Sequence, residues 1–391
     1  MLLSISLILL VGMSMSWICR KIKLPGLLGM LVTGIVLGPY MLDLLDESIL
    51  GISSELRKIA LIIILTRAGL GLDLSGLKKI GRPAVLMCFV PASLEILGMI
   101  LLAPKLMGLT VLEAAIMGAV LAAVSPAVVV PRMVRLMDEG YGVNKGIPQL
   151  ILAGASVDDV YVIVLFSTFT GMMQGESASV TSFLNVPVSI FLGVVLGLLL
   201  GTFFAYYLKK VHLRDTAKVL IILSVSFLLV VIEDHLNTPI TFSALIAIMV
   251  IGIGLQKKRE AVAKRLSVKY GKLWVGAEVF LFVLVGATVN IEYFGKVGVQ
   301  SLAVILGALV FRMLGVFICL PGTDLTGREK MFCMLAYTPK ATVQAAIGGI
   351  PLSLGFACGD MVLTVAVLAI VLTAPLGALA IDSLYKKWLV R

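Results

Sequence analysis

Two adjacent carboxylates, Asp158 and Asp159, lie in the run Gly154-Ala-Ser-Val-Asp-Asp-Val160, about ten residues into an apolar stretch that starts near Pro148. At 1.5 Å per helical residue that depth is ~15 Å, the midplane of a ~30 Å hydrocarbon core. Neighbouring positions on a helix point about 100° apart, so the two cannot both face lipid, and one of them faces a site directly. A pair in mid-span caps no helix end, which removes the usual structural reason for such residues. Hard carboxylate oxygens suit Na⁺ or Li⁺. The same group can hold H⁺ instead, and competition of two ions for one carboxylate is itself a mechanism of exchange.

Five more charges fall inside apolar stretches: Glu95, Glu278, Arg67, Arg312 and Lys340. Each costs at least a few kcal/mol to bury in a bilayer, so all are candidates for function. Glu95 and Arg312 are expected to form a buried ion pair that ties two parts of the molecule together. Lys340 follows Pro339 and could neutralise a helix C-terminus or meet an Asp when no cation is bound. Arg67 and Glu278 are only about two turns from a membrane face, and snorkelling accounts for Arg67. Two proline segments accompany the charges, Ala123-Val-Ser-Pro-Ala-Val-Val-Val-Pro131 and Tyr337-Thr-Pro-Lys-Ala-Thr-Val-Gln344. Proline removes a backbone donor and clashes one turn back, so breaks are expected at Pro126, Pro131 and Pro339. Freed carbonyls and helix ends there can bind or neutralise charge. Ser125 and Thr338, each just before a proline, join Asp158 and Asp159 as candidate Na⁺ ligands.

The elements that hold these residues are membrane helices. Of 391 residues, 60% are hydrophobic and 14% charged, with a mean hydropathy of +1.10, which a soluble chain could not keep from water. Thirteen spans are expected, at about 2–18, 25–42, 57–72, 83–104, 109–131, 147–172, 184–208, 217–232, 239–255, 272–289, 297–320, 330–350 and 361–382. The first has no charged segment before it and reads as a retained helix, not a cleaved signal. The five Cys are scattered and form no metal or disulfide pattern. Of the 32 Lys and Arg, 25 fall on odd-numbered links and the tail and only four on even ones. The positive-inside rule then puts the N-terminus outside and the C-terminus in the cytoplasm. The net charge of +10 is thus a topology signal, and nucleic acid is not a partner.

The chain also repeats itself. Pro25 and Gly38 recur as Pro239 and Gly252 at an offset of 214, Gly69 to Asp73 recurs as Gly286 to Asn290 at 217, and Ser125-Pro126 as Thr338-Pro339 at 213. The partners are seven spans apart, an odd number, so the halves insert with opposite topology. Inverted repeats around broken helices mark secondary transporters and place the substrate near the midplane. Gly193, Gly197 and Gly201 in the seventh span indicate close helix packing.

These segments resemble the cation:proton antiporter superfamily, and within it the NHA sodium/proton exchangers. The resemblance is carried by Thr66-Arg-Ala-Gly-Leu-Gly-Leu-Asp73, Glu95, Val124-Ser-Pro-Ala-Val-Val-Val-Pro131, Ser156-Val-Asp-Asp159, Phe311-Arg-Met-Leu314 and Tyr337-Thr-Pro-Lys-Ala-Thr-Val-Gln-Ala345. It implies an all-α polytopic homodimer in which two crossed broken helices flank the Asp pair. A dimer domain would come from 1–72 and 217–289 and a core ion-transport domain from 83–172 and 297–382, with 184–208 as linker. Asp159 would be the main ion carrier. Electrogenic relatives with an Asp pair often have Lys at the position of Arg312; Arg keeps its proton, which favours electroneutral exchange. The expected function is exchange of Na⁺ or Li⁺ for H⁺ in a plasma membrane, of bacterial inner-membrane type, with no enzyme activity and no cofactor. A K⁺/H⁺ antiporter of the same fold is the alternative, and an organic-anion symporter a more distant one. A channel is disfavoured, since no filter-like loop is present.

Overall fold

The computed structural model describes residues 1–71, 81–174, 180–211, 213–236 and 242–391, without the side chains of 156, 160, 180–187 and 291–297. Asp73, Lys78, Lys79, His212 and the Thr238-Pro239 arm of the repeat lie outside the described residues. Among those described, the chain is all helix and turn. In chain order the helices are α1 (Leu2–Lys21), α2 (Gly26–Leu37), α3 (Glu47–Gly51), α4 (Ser53–Gly71), α5 (Arg82–Met87), α6 (Val90–Met107), α7 (Val111–Leu121), α8 (Pro126–Glu139) and α9 (Ile147–Met173). They continue as α10 (Val180–Lys210), α11 (Asp215–His235), α12 (Ala244–Lys258), α13 (Glu260–Ala287), α14 (Ile291–Cys319), α15 (Gly327–Ala336), α16 (Thr342–Ile347), α17 (Ile350–Ser353) and α18 (Gly359–Trp388).

Nine segments among the described residues are long and apolar enough to cross a membrane, against the thirteen expected. The remaining expected spans are marked by charge, shortness or interruption. The second holds the apolar α2 of only 12 residues, and the third, α4, carries Glu55, Arg57, Lys58 and Arg67. The ninth shows 15 helical residues in α12, and the twelfth is divided into α15, α16 and α17. The ninth link, expected as a basic loop over 256–272, is helical from Glu260. Val262, Leu266, Tyr270 and Trp274 recur every fourth residue and are buried, while Lys264, Arg265 and Lys272 point out. That amphipathic stripe makes one helix of the basic link and the tenth expected span.

The described chain forms two compact units. The first comprises 1–54, 73–169 and 279–391, and the second 55–72 and 170–278. In the second unit the glycines of α10 pack against α12. A Cβ added at Gly193, Gly197 or Gly201 would lie 2.6–2.8 Å from the carbonyl oxygens of Ser243, Ala247 and Ile251 respectively. Only hydrogen fits there, so the two backbones touch along two turns. In the first unit, α2 meets α13 in the same manner, with a Cβ at Gly34 falling 1.9 Å from the Val283 carbonyl oxygen. The core of this unit joins α5, α8, α9, α14, α15 and α18 through residues such as Met87, Val129, Ile151, Val316, Phe332 and Ile381.

Both broken helices belong to the first unit and are built alike. Thr110 and Glu113 form a capping box that starts α7, and Thr326 and Glu329 form another that starts α15. Each box satisfies two free N–H groups at a helix start. α7 ends at Leu121, and Pro126 opens α8 at its first position, where a missing N–H costs nothing. α15 ends at Ala336 before Pro339, and α16 begins at Thr342. Pro131 does not break its helix, contrary to expectation. It lies inside a continuous α8, where loss of one ladder bond is outweighed by the packing of Val128, Val129, Met133 and Leu136 on either side. An unforeseen interruption separates α5 from α6 at Cys88 and Phe89, just before Pro91. Pro91 cannot donate to the Met87 carbonyl one turn back, and the Tyr337 hydroxyl donates to it instead, at 3.0 Å.

Candidate functional site

Arg312, on α14, is fully buried and stands at the centre of the first unit's polar residues. Its Nε donates to the Tyr337 carbonyl at 2.6 Å, and Nη1 donates to the Ala122 carbonyl. Ala122 and Tyr337 are the C-terminal caps of α7 and α15. Each helix end carries roughly half a negative charge, so one guanidinium neutralises both broken helices at once. The remaining donors go to carboxylates: Nη1 to Glu95 at 2.7 Å and Nη2 to Asp158 at 2.8 Å. The Tyr337 ring lies 4.9 Å from the guanidinium carbon. A planar fork with five N–H donors can serve four acceptors in this way; a lysine ammonium could not.

Glu95, on α6, accepts from both cations, with Lys340 Nζ at 2.6 Å. Lys340 thus pairs with Glu95, while Arg312 takes the two helix ends. The Lys340 backbone N–H donates to Thr373 Oγ1 of α18 at 2.8 Å, which holds the unwound segment. The two breaks also bond to each other, with the Ser125 N–H donating to the Pro339 carbonyl at 2.7 Å. Gln344 Nε2 donates to the carbonyls of Leu121 and Ala123 at 3.1 and 2.9 Å, serving the freed end of α7. Thr338 Oγ1 donates to the Leu335 carbonyl at 2.8 Å, the acceptor that Pro339 leaves without its helical donor.

Asp158 Oδ2 accepts from the Val124 N–H at 2.9 Å as well as from Arg312. Its Oδ1, together with Asp159 Oδ1 and Ser125 Oγ, is buried without a hydrogen-bond partner among the described residues. Buried oxygens are almost always paired, and unengaged hard oxygens of this kind suit a small hard cation as substrate. Both carboxylates are buried, Asp158 with no exposure and Asp159 with 7%. Arg67 and Glu278 belong to the second unit, while every residue of this cluster belongs to the first.

Of the expected site residues, the structure joins Asp158, Glu95, Arg312 and Lys340 by side-chain hydrogen bonds and Ser125 to Pro339 by a backbone one, with Asp159 next to Asp158 in sequence. Sequence reasoning missed Gln344, Tyr337 and Thr373, and the bond from Arg312 to Asp158. Gln344 and Tyr337 bound the proline segment Tyr337–Gln344. Their polarity in an apolar stretch was the available signal.

An all-helical membrane protein with two capped, broken helices around buried carboxylates has the construction of an inverted-repeat secondary transporter. Residues 5–387 match the family of transmembrane sodium/hydrogen exchangers. Human sodium/hydrogen exchanger 9B2 is 36% identical over 378 residues, covering 92% of this chain and 69% of that protein. Human sodium/hydrogen exchanger 9B1 is 34% identical over 385 residues, covering 94% and 73%. The sodium proton antiporter MjNhaP1 from Methanocaldococcus jannaschii, solved at pH 8, superposes with a TM-score of 0.87 at 23% identity, over 98% of this chain and 97% of that one. The chain therefore belongs to the sodium/hydrogen exchanger family and has the sodium/proton antiporter fold, on the NHA-type branch of the cation:proton antiporters. It is a multi-pass membrane protein.

Proposed function

We propose that this protein exchanges Na⁺, or Li⁺, for H⁺, and that Asp159 carries either ion in turn. The observation that carries this reading is the division of labour between two adjacent buried carboxylates. Asp158 is bound by Arg312 and the Val124 amide, while Asp159 Oδ1 has no partner among the described residues. Asp158 would shape the site and Asp159 would load it, with Ser125 Oγ as a further ligand and Thr338 supporting the second break. Arg312, Glu95 and Lys340 would keep both helix breaks in place while the load changes.

The charges suggest the stoichiometry. Glu95, Asp158 and Asp159 face two cations, Arg312 and Lys340, and both cations are engaged with Glu95 or Asp158. One carboxylate is left to neutralise, so one Na⁺ or one H⁺ closes the balance equally well. Transport would then be electroneutral. We further propose a homodimer, with a dimer domain from 1–72 and 217–289 and a moving core from 83–172 and 297–382. The distribution of Lys and Arg supports an N-terminus outside and a cytoplasmic C-terminus in a plasma membrane of bacterial inner-membrane type. The test is dissipation of ΔpH in proteoliposomes on addition of Na⁺, Li⁺ or K⁺. Response to Na⁺ or Li⁺ that Asp159→Asn abolishes supports the reading. Undiminished exchange by that variant would overturn the carrier assignment.

A further inference from the structure

The second half of the first broken helix is fastened, at the end away from the carboxylates, by the last turns of α18. Asp382 accepts from Arg132 Nε at 3.2 Å and from Arg135 Nη2 at 2.9 Å, so one carboxylate of α18 takes two guanidinium groups of α8. Arg132 Nη1 also donates to the Val128 carbonyl at 2.9 Å. Val128 is in the first turn of α8, immediately after Ser125 and Pro126. The brace thus runs from Asp382 back to the turn that borders the carboxylate pair.

The grip continues along the chain. Tyr385 Oη donates to Glu139 at 2.8 Å, and its ring meets Tyr141 edge-on at a centroid distance of 5.2 Å. The Gly142 N–H donates to the Val390 carbonyl at 2.7 Å. Gly140, Gly142 and Gly146 all have positive φ, which lets the α8–α9 connection turn tightly enough to be held there. α9 then leads from Ile147 to Asp158 and Asp159. One segment of α18 therefore holds both the helix that starts at Ser125 and the connection into the helix that carries the carboxylates. Arg135 and Asp382 are 45% and 34% exposed, and ion pairs this open add little to global stability. Their arrangement has a use as an alignment device.

We propose that Asp382 is a positioning residue for the cation site. By holding Arg132 and Arg135 it sets the depth and rotation of α8, and with them the placement of Ser125 and the Val124 amide beside Asp158 and Asp159. This rests on the exchange function proposed above. The test is Na⁺-dependent H⁺ exchange by purified Asp382→Asn in proteoliposomes. Its apparent KM for Na⁺ should rise roughly threefold to tenfold, with the maximal rate per folded transporter within about twofold of the parent, a small part of the ~10²-fold that a 1 Å displacement can cost. Asp382→Glu should restore most of the lost affinity. Asp234→Asn, which removes the exposed Lys58–Asp234 pair of the second unit, should leave KM unchanged. An unchanged KM in Asp382→Asn, or a Glu variant as impaired as the Asn variant, would reduce Asp382 to a structural tie. Persistent exchange by Asp159→Asn would instead defeat the underlying functional reading, so the two failures are distinguishable.

Discussion

A buried guanidinium with four acceptors is a commitment that no other side chain can take over. Removing one partner of a buried pair costs about 3–5 kcal/mol, because the other charge is left without compensation. Glu95→Gln and Arg312→Gln should each lower the melting temperature sharply. The double variant should lose less than the sum of the two, since the residues share one bond at 2.7 Å. It should not recover the parent's stability, because Lys340 and Asp158 are then stranded. Strictly additive losses in thermal melts would show that the pair is not formed. Asp159 differs in kind: with its Oδ1 unengaged, Asp159→Asn should fold and insert like the parent and yet carry no ion. A melt and a flux assay on the same preparation separate these two classes of residue.

Helices here approach one another where glycine permits it, and the consequences are local. Gly34→Ala would drive a methyl into the Val283 carbonyl oxygen, a clash of backbone against backbone that costs about 1–3 kcal/mol as overpacking. Gly276→Ala, with nothing within 4 Å of the new atom, should be neutral or gain about 0.5–1 kcal/mol from helix propensity. Melts of the two variants that moved in the same direction would contradict the packing described. Much at this scale was legible in the sequence. The proline segments announced the breaks at Ser125 and Thr338, and the spacing of Gly193, Gly197 and Gly201 announced a close helix contact. The matching capping boxes, Thr110 with Glu113 and Thr326 with Glu329, are equally readable as Thr-x-x-Glu. Pro131 shows the limit of the signal: proline reports a lost donor, not the packing that can hold a helix together around it. The partners of Arg312 were beyond reach, since hydrogen bonds between residues 154 and 217 positions apart depend on how helices cross.

The whole molecule converts these local arrangements into a transport cycle. If H⁺ and Na⁺ share Asp159, raising the pH on the acid side of the optimum should lower the apparent KM for Na⁺, as deprotonation frees the ligand. A KM independent of pH would mean separate sites. If a single carboxylate changes its load while Arg312 and Lys340 stay paired, no net charge moves. Na⁺ jumps on a solid-supported membrane should then give no sustained current, and a K⁺/valinomycin potential should leave the proton flux unchanged. A rate that follows the imposed potential would instead direct attention to Lys340, whose Gln variant should then exchange without current.

Glu95 and Arg312 are 217 positions apart, the same offset that relates Gly69 to Gly286. By that offset they are matching positions of the two repeat halves, and they touch. In an assembly of two identical halves that position would have met its own duplicate, carboxylate against carboxylate or guanidinium against guanidinium, at a separation where like charges repel strongly. Only halves that differ in sequence can place opposite charges there. Two halves of unlike sequence thus make available a bond between opposites that exact symmetry forbids.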